Sequence, residues 1–345
     1  MMEKPFRVSV VGCGNISKTH LPVLLSLDGV IISSVVDVIK EKADMAATEY
    51  SCRAFYDYET MLCEDKPDCV HICTPHYLHV EMAEKALRAG VNVLCEKPLA
   101  ITKESLREIR KVSKESEASL GVCFQNRYNS AVVKAKKIIE SKEFGNLIAG
   151  KGNVSWFRDK NYYSDDWHGK LLKEGGGVLV NQAIHTADLL RYLIGSKIKK
   201  VEAHVFDDSL SDLIEVEDTA CVRCEFENGV LAILNATNAF SFNSEVTLDF
   251  YFESGDKLHI EGLDLYHMKP DGTVVKLTDK TEIDFHGKNY WGNGHYALIK
   301  DFYDCLSRKE NFWIDADEGG LATEEFLASY ESSERQRAVT VDYSN

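Results

Sequence analysis

The sequence lacks an excess of positive charge, and it contains little proline. Its 40 basic residues are outnumbered by 55 acidic residues, so the formal net charge is −15. A sequence-independent nucleic-acid binder or a polybasic membrane-surface protein needs a basic face, and this balance argues against both classes. With 6 prolines and 22 glycines among 345 residues, the chain is neither collagen-like nor proline-rich, and its 44% hydrophobic content is that of a folded protein.

Long apolar runs are also missing. No window offers about 18 uninterrupted apolar residues, so the sequence predicts no membrane-spanning helix. Pro5, Arg7 and Ser9 interrupt the amino-terminal segment, which is unlike the apolar core of a signal peptide. Most of the 10 cysteines lie inside apolar runs, where a free thiol acts as a small hydrophobic group, rather than in a disulfide framework. These absences predict a cytoplasmic protein.

The first third of the chain alternates short apolar runs with helical patterns. The predicted strands are 6–11, 30–36, 69–73, 91–94 and 120–124. The predicted helices are 15–27, 40–50, 77–89 and 102–116. Continuous apolar strands that alternate with amphipathic helices are typical of a doubly wound parallel sheet covered on both faces.

The pattern changes after Phe124. Longer runs with partial alternation are found at 201–206, 219–226, 230–236 and 246–252. The dipeptide Asn228-Gly229 between two of these runs is a strong hairpin signal, and Asp271-Gly272 resembles it. Two helical patterns follow at 295–306 and 318–334. This part of the chain predicts an α+β domain built on a large, mostly antiparallel sheet.

A glycine-rich turn follows the first predicted strand. Residues 8–17 read Val-Ser-Val-Val-Gly-Cys-Gly-Asn-Ile-Ser, a strand that enters a Gly-x-Gly turn and then a helix. Gly12 permits the tight turn, and Gly14 lets the backbone approach a pyrophosphate. The N–H groups around Asn15 and Ile16 open the helix, where unpaired donors and the helix dipole favour an anion. The turn therefore predicts a dinucleotide site.

An acidic residue ends the second predicted strand. Asp37 is well placed to accept hydrogen bonds from the adenosine ribose. Its carboxylate would repel a 2′-phosphate, and Val38 rather than an arginine follows it, so NAD is favoured. Lys40 lies close enough to keep NADP as the alternative. We therefore predict a Rossmann dinucleotide-binding domain over residues 1–124 and a substrate-binding and oligomerisation domain over residues 125–345.

Several further motifs accompany the glycine turn. They are Cys73-Thr74-Pro75-His76-Tyr77-Leu78-His79, Cys95-Glu96-Lys97-Pro98, the run from Gly175 through Asn181 to His185, Trp291-Gly292-Asn293-Gly294-His295, and Trp313-Ile314-Asp315-Ala316. Together with the turn they resemble the Gfo/Idh/MocA family, which includes glucose–fructose oxidoreductase and inositol dehydrogenases. The resemblance covers essentially the whole chain. It implies a Rossmann domain, a second α+β domain and a sugar or polyol substrate.

Two of these motifs end neighbouring strands of the predicted parallel sheet. Ligands of such sheets bind beyond the carboxyl ends of the strands, so the motifs should flank one crevice. The cofactor contacts that we expect there are Thr74, Pro75, His79, Glu96 and Lys97. Pro98 favours an extended backbone at Lys97, which aims the side chain, and a lysine in such a crevice can hydrogen-bond a substrate hydroxyl. The alternative is a solvated surface lysine.

The glycine run leads to Asn181 and His185, which are spaced i, i+4. If residues 178–194 form one helix, the two side chains share a face. Histidine titrates near neutral pH and can take the proton of an alcohol as hydride leaves the carbon. On spacing alone a core histidine is the favoured interpretation, and the glycine run together with the family resemblance reverses that preference. The family usually has Asp-x-x-x-His here; Asn181 departs from that pattern, and Asp188 is an alternative partner for His185.

Other candidates rest on the resemblance. It implies that Gln125 contacts the cofactor and that Arg127 and Arg158 lie near the cofactor or the substrate. Arg158 could bind a phosphate or carboxylate. Trp167 belongs to an aromatic loop whose rings either stack on a sugar or pack in the interior.

No metal site is predicted. Cys221 and Cys224 form a lone CxxC within an alternating strand, and their offset of three places them on opposite faces. His71, His76 and His79 are close in sequence but lack further ligands at metal spacing.

These observations lead to one expected activity and two alternatives. We expect an NAD(P)-dependent dehydrogenase that acts on a secondary hydroxyl of a sugar, cyclic polyol or nucleotide-linked sugar. Lys97 and His185 would be catalytic, Asn181 would position the substrate, and Arg127 and Trp167 would contact it. The alternatives are an enzyme that cleaves glycosides through transient oxidation and a non-enzymatic NAD-binding regulator. The resemblance also implies a homodimer or homotetramer.

Overall fold

A computed structural model of the chain describes residues 4–207, 209–278 and 294–344. It contains two sheets, each packed against helices. The first three residues of the Trp291–His295 motif lie outside the described residues, so this part of the predicted resemblance has no structural account. Among the described residues, no helix is both long and apolar enough to cross a membrane.

The first sheet has six parallel strands in the order β3-β2-β1-β4-β5-β6. The strands are β1 Phe6–Val11, β2 Val30–Val36, β3 Arg53–Phe55, β4 Cys69–Ile72, β5 Asn92–Cys95 and β6 Leu120–Val122. The helices between them are α1 Ser17–Ser26, α2 Lys40–Tyr50, α3 Tyr58–Glu64, α4 His79–Arg88 and α5 Lys103–Glu115. The predicted doubly wound sheet is confirmed, whereas β3 and α3 had no prediction. The strand order reverses beside β1, which opens a crevice at the carboxyl ends of β1 and β4.

The second sheet has nine strands in the order β14-β13-β12-β11-β7-β10-β9-β8-β15. They are β7 Leu147–Ser155, β8 Ile198–Phe206, β9 Thr219–Phe226, β10 Leu231–Thr237, β11 Thr247–Phe252, β12 Lys257–Glu261, β13 Asp264–Met268, β14 Val274–Lys276 and β15 Val339–Thr340. Among the described strands of this second sheet, only β7 and β10 pair in parallel, so the mostly antiparallel prediction is confirmed. Asn228 and Gly229 form the predicted hairpin turn between β9 and β10.

Helices cover one face of this second sheet and extend to the first. They are α6 Ser130–Ser141, α7 Leu171–Glu174, α8 Val178–Asn181, α9 Ile184–Ile194, α10 Gly294–Arg308 and α11 Ala316–Arg335. Alternation within β9 buries Cys224 under the helices and exposes Cys221 on the open face, as the offset of three predicts. Phe302 of α10 and Phe312 pack against β6 at Gly121, so residues late in the chain complete the core of the first sheet.

The single helix considered for residues 178–194 is interrupted. The Ala183 N–H bonds to the carbonyl of Val178, five residues back, and α9 begins only at Ile184. Asn181 therefore ends one short helix and His185 begins the next. Because the helical hydrogen bonds change register between Asn181 and His185, the i, i+4 spacing of a regular helix does not give the relative positions of the two side chains.

Candidate active site

The glycine turn forms one side of the crevice. At Gly12, φ is +90°, and an added Cβ would lie 2.6 Å from the carbonyl oxygen of Cys73. At Gly14, an added Cβ would meet no atom within 4 Å, so the space above this residue is open. Helix α1 begins three residues later, at Ser17, and the first N–H groups of a helix are available to an anion because they lack the usual helical partner. A pyrophosphate fits this combination of open backbone and helix start.

The Asp37 carboxylate is tied to the same turn. Its Oδ2 accepts a hydrogen bond from the Cys13 N–H at 2.8 Å, and its Oδ1 accepts one from the Ile39 N–H at 2.8 Å. Each carboxylate oxygen has a second lone pair, so both can still accept from ribose hydroxyls. The residues around the turn thus fit the adenosine half of a dinucleotide.

His79 links the ends of β4 and β5. Its ring is buried, Nδ1 lies 2.8 Å from the Pro98 carbonyl oxygen, and Nε2 lies 2.9 Å from the Thr74 carbonyl oxygen. Burial lowers the pKa of His79, with the two carbonyls opposing that effect. Both nitrogens already face protein oxygens, so the structure gives His79 a role in holding Thr74 and Pro75 beside the segment that carries Lys97.

Glu96 is buried beside two histidines, and its predicted cofactor contact stays a prediction. Its Oε1 lies 3.0 Å from His20 Nε2 and 3.7 Å from His295 Nε2. Burial raises the pKa of Glu96, but the hydrogen bonds from the two histidines outweigh it, and the net pKa is well below the ordinary value. Within the described ranges, this trio is the group whose donor atoms approach one another closely enough to hold a metal ion. The two histidines already engage the carboxylate, so its geometry does not require a cation.

Lys97 lies between the two domains. The peptide bond between Lys97 and Pro98 is cis. Lys97 Nζ donates to the backbone oxygen of Asn181 at 2.9 Å and to its Oδ1 at 3.3 Å. The predicted proximity of Lys97 and Asn181 is therefore present in the structure, and the solvated-lysine alternative does not describe this side chain.

The glycine run explains how Asn181 approaches so closely. At Gly175, φ is +86°, and an added Cβ would lie 2.4 Å from Ile101 Cβ. At Gly177, an added Cβ would lie 1.8 Å from the carbonyl oxygen of Glu217. A side chain at Gly175 would push the run away from the segment that follows Lys97, and one at Gly177 would push α8 away from Glu217.

His185 has a ring nitrogen available in this crevice. Its Nε2 lies 3.5 Å from the Gln125 amide nitrogen, and its buried Nδ1 has no hydrogen-bond partner among the described residues. Burial, followed by the charge of Lys97, lowers the pKa of His185 to about 3. The ring is therefore neutral at neutral pH and can exchange one hydrogen bond, or a proton, with a bound molecule.

Asp188 is not the partner of His185. Its Oδ2 accepts from Arg127 Nε at 2.8 Å, and its Oδ1 accepts from Arg191 at 2.9 Å. Arg127 also meets Glu318 at 2.8 Å and is buried. We expected the Arg127 guanidinium at the substrate, but it faces the carboxylates of Asp188 and Glu318. A buried positive charge is stable only when nearby negative charge compensates for the loss of solvation. Arg127 thus holds α9 and its histidine in place.

An aromatic loop covers the crevice beside Asn181. The Tyr162 hydroxyl accepts from the amides of Asn181 at 3.0 Å and Gln182 at 2.9 Å. The Arg158 guanidinium lies 5.1 Å from the centre of the Tyr162 ring, and the Trp167 ring lies 4.9 Å from that of His76. Arg158 and Trp167 therefore belong to the aromatic surroundings of Asn181, and their contact with a substrate stays a prediction.

The sequence interpretation missed Glu174, although it sits in the middle of this site. Its side chain is 1% exposed, and its Oε1 accepts from the Asn181 amide at 2.5 Å. Gln182 and Asn238 were also missed; the Asn238 amide donates to Gln182 Oε1 at 2.8 Å. Position in the sequence is the one signal that could have identified two of these residues, since Glu174 directly precedes the glycine run and Gln182 directly follows Asn181.

Two family models match the chain. Residues 6–124 match an oxidoreductase family with an NAD-binding Rossmann fold, and residues 132–256 match the GFO/IDH/MocA C-terminal domain. Together they cover the first sheet and strands β7 to β11 of the second.

Individual proteins are similar over nearly the full length. D-glucoside 3-dehydrogenase of Escherichia coli (strain K12) is 26% identical, with 97% of each chain covered. Myo-inositol 2-dehydrogenase of Thermotoga maritima is 22% identical, with 97% of this chain and 98% of the relative covered. The crystal structure of the WlbA dehydrogenase from Bordetella pertussis in complex with NADH and UDP-GlcNAcA superposes with a TM-score of 0.85 at 27% identity, covering 98% of this chain and 99% of that one.

Proposed function

Because the chain belongs to the Gfo/Idh/MocA family of NAD-binding oxidoreductases, we propose that it transfers a hydride between nicotinamide and a secondary hydroxyl or ketone of a sugar, cyclic polyol or nucleotide-linked sugar. The observation that carries this proposal is the position of Lys97. Its ammonium lies at the carboxyl ends of the parallel strands, beside Asn181 and close enough to His185 to lower the pKa of that ring. A cation, an amide and a neutral imidazole around one crevice suit an alcohol that must lose a hydride and a proton.

The residues of the glycine turn support a dinucleotide as the cofactor. Open space over Gly14 suits the pyrophosphate, and the free lone pairs of Asp37 suit the ribose hydroxyls of NAD. When bound, the oxidised nicotinamide supplies the acceptor for the hydride. Gln125, which is buried beside His185, and Thr74 with Pro75 line the path from the turn to Lys97 in this proposal.

Lys97 and His185 have separate roles in the proposed reaction, one at the reacting oxygen and the other as acceptor of the proton. In the oxidation direction, the substrate carbon loses hydride with its electron pair, the C=O bond forms, and the hydroxyl proton must leave. Lys97 donates a hydrogen bond to the reacting oxygen and stabilises its developing negative charge. His185 is neutral and accepts the hydroxyl proton at a ring nitrogen, so the oxidised substrate leaves as the ketone and the proton stays on the imidazole until solvent removes it. Asn181 holds the lysine, while Trp167 and Arg158 contact the remainder of the substrate.

Steady-state absorbance of the reduced cofactor tests this function. The purified protein is incubated with NAD or NADP and a panel of inositols, hexoses, aminosugars, sugar acids and nucleotide sugars. We expect turnover with one of these classes, and a loss of about 10²-fold or more in kcat for Lys97→Ala with unchanged NADH affinity. Normal turnover in Lys97→Ala would remove the lysine from the mechanism. Tight NAD binding without net reduction of the cofactor by any substrate would favour the glycoside-cleaving enzyme or the regulator.

The open face of the nine-stranded sheet supports a proposed homo-oligomer. Leu231 and Tyr251 flank Ala149 in one row across β10, β7 and β11, and both are exposed. A second copy of the chain would cover this row. Light scattering after size exclusion should give a dimer or tetramer, and Leu231→Lys with Tyr251→Lys should shift it to a monomer. A cytoplasmic location stays a prediction, and cell fractionation can test it.

A further inference from the structure

Asn181 connects Lys97 with a second buried charge. On one side, Lys97 Nζ donates to the backbone oxygen and to Oδ1 of Asn181. On the other side, Asn181 Nδ2 donates to Glu174 Oε1 at 2.5 Å and to the Tyr162 hydroxyl at 3.0 Å. The three side chains therefore form a line from the aromatic loop to the crevice, with the amide in the middle.

The carboxylate determines which way the amide faces. An amide side chain has one accepting end and one donating end, whereas an ionised carboxylate only accepts. Because Glu174 lies at the amide nitrogen, the amide oxygen is turned towards Lys97. A protonated Glu174 could donate as well as accept, and this orientation would no longer be enforced. The negative charge also lies close enough to Lys97 to favour the ammonium form.

The surroundings make the charge of Glu174 sensitive to pH. Burial raises the pKa of Glu174 to about 7, although the Gly169 N–H, the Asn181 amide and Lys97 act in the opposite direction. A nearby carboxylate, Glu217, adds to the rise. The titratable and charged groups that face Glu174 are Lys97, Glu217, Tyr162, Tyr163, Tyr330 and, at its backbone carbonyl, His76.

We propose that Glu174 is a positioning residue for the reaction: through Asn181 it supplies the negative charge and the amide orientation that hold Lys97 ready for the substrate oxygen. This inference rests on the proposed function for its catalytic consequence. In this chain the position that directly contacts the lysine carries a neutral amide, and the carboxylate lies one hydrogen bond further away. Glu174 Oε2 also accepts from the Gly169 N–H, so the same residue ties the aromatic loop to the site.

Variants that move the negative charge from position 174 to position 181 distinguish a positioning role of Glu174 from a purely structural one. Glu174→Gln removes the charge and lets either end of the new amide face Asn181. Asn181→Asp in that background returns a carboxylate directly beside Lys97. We expect Glu174→Gln to lower kcat by about tenfold or more, and the double variant to recover most of that loss. The wild type should lose kcat/KM below about pH 7 as Glu174 takes up a proton, and this limb should be absent from Glu174→Gln.

A second readout needs no substrate. Competitive acetylation at pH 7, read by peptide mass spectrometry, reports the fraction of Lys97 that is the neutral amine. Without the nearby anion that fraction should rise, and labelling of Lys97 should accelerate by about threefold, equivalent to half a unit in the protonation equilibrium. The double variant should return to the wild-type rate. If no substrate is ever turned over, the proposed activity fails, while this labelling still decides whether Glu174 acts on Lys97.

Two further variants, Glu215→Gln and Tyr162→Phe, serve as controls for the rate and labelling measurements. Glu215 is an exposed carboxylate that accepts from Lys170 and the Leu171 N–H on the same loop, so Glu215→Gln should change neither rate nor labelling. Tyr162→Phe removes the second acceptor from the Asn181 amide and should give a smaller change in the same direction, which covers the case that Glu174→Gln does not fold. Unchanged labelling, an unchanged pH profile, or a rate loss that Asn181→Asp does not rescue would overturn the proposal.

Discussion

The Asp37 carboxylate accepts a hydrogen bond from the backbone N–H of Cys13 at 2.8 Å, inside the glycine turn. The residue predicted to contact the ribose therefore also fixes the turn over which the pyrophosphate would lie. Its second oxygen accepts from the Ile39 N–H, which holds the carboxylate between the turn and the start of α2. Asp37 thus both holds the glycine turn in its conformation and supplies the carboxylate that we expect to bind the ribose of the cofactor.

Substituting Asp37 should weaken NAD binding and reduce the preference over NADP. In Asp37→Asn the charge that repels a 2′-phosphate is lost, and the hydrogen bonds to the ribose become neutral. Hydrogen bonds to charged groups contribute about 1.5–3 kcal/mol, so we expect NAD affinity to fall by about tenfold or more. Calorimetric titration with both dinucleotides measures the two affinities. Asp44→Asn on the exposed face of α2 is the matched control, and an unchanged ratio in Asp37→Asn would exclude the ribose role.

The two glycines of the turn should respond differently to alanine. Gly12→Ala forces a Cβ to 2.6 Å from a backbone oxygen at a φ of +90°, so the variant should be less stable by about 1–3 kcal/mol. Gly14→Ala meets no atom within 4 Å, so its stability should match the wild type while its affinity for NADH falls, because the methyl group occupies the open space. Thermal unfolding and NADH titration distinguish the two effects. Equal stability of both variants would contradict this account of the turn.

The buried ion pairs of α9 should contribute to stability rather than to substrate binding. Arg127→Met leaves both Asp188 and Glu318 with Arg191 alone, and breaking a buried pair costs about 3–5 kcal/mol. Removing both partners with Arg127→Met and Asp188→Leu should cost less than the sum of the single changes. Urea unfolding gives these free energies. A stable Arg127→Met variant with a raised KM would restore the substrate contact that the sequence interpretation proposed.

The sequence was a good guide wherever local pattern and burial agree. The bounds of β9 at Thr219–Phe226 and of α2 at Lys40–Tyr50 follow directly from alternation and from helical spacing. The interruption before Ile184 could not be predicted, because it depends on how the glycine run packs against Glu217, which is distant in sequence.

The pairing of buried charged residues also cannot be predicted from the sequence. From the sequence we expected Arg127 near the cofactor or the substrate and overlooked Glu174, whereas the fold places Asp188 beside the first and Asn181 beside the second. The candidate site was therefore predictable in its strand-end motifs and its glycine turn. The buried partners that orient those motifs were not, since long-range contacts alone bring them together.

His185 should make the protein less stable in acid. Burial lowers its pKa to about 3 in the folded chain, whereas an unfolded histidine titrates near 6.5. Between these values only the unfolded chain binds the proton, so stability is fully present above about pH 6.5 and declines as the pH falls towards 3. At pH 5 the single group accounts for a loss of about 2 kcal/mol. His185→Gln should therefore shrink the difference in unfolding free energy between pH 8 and pH 5 by about that amount, while His204→Gln, on an exposed strand position, should leave it unchanged. The comparison is a difference of differences, so any packing defect that glutamine introduces cancels between the two pH values. If the two variants lose the same stability on acidification, His185 is not held neutral by its surroundings, and the assignment of its imidazole as the proton acceptor loses its basis.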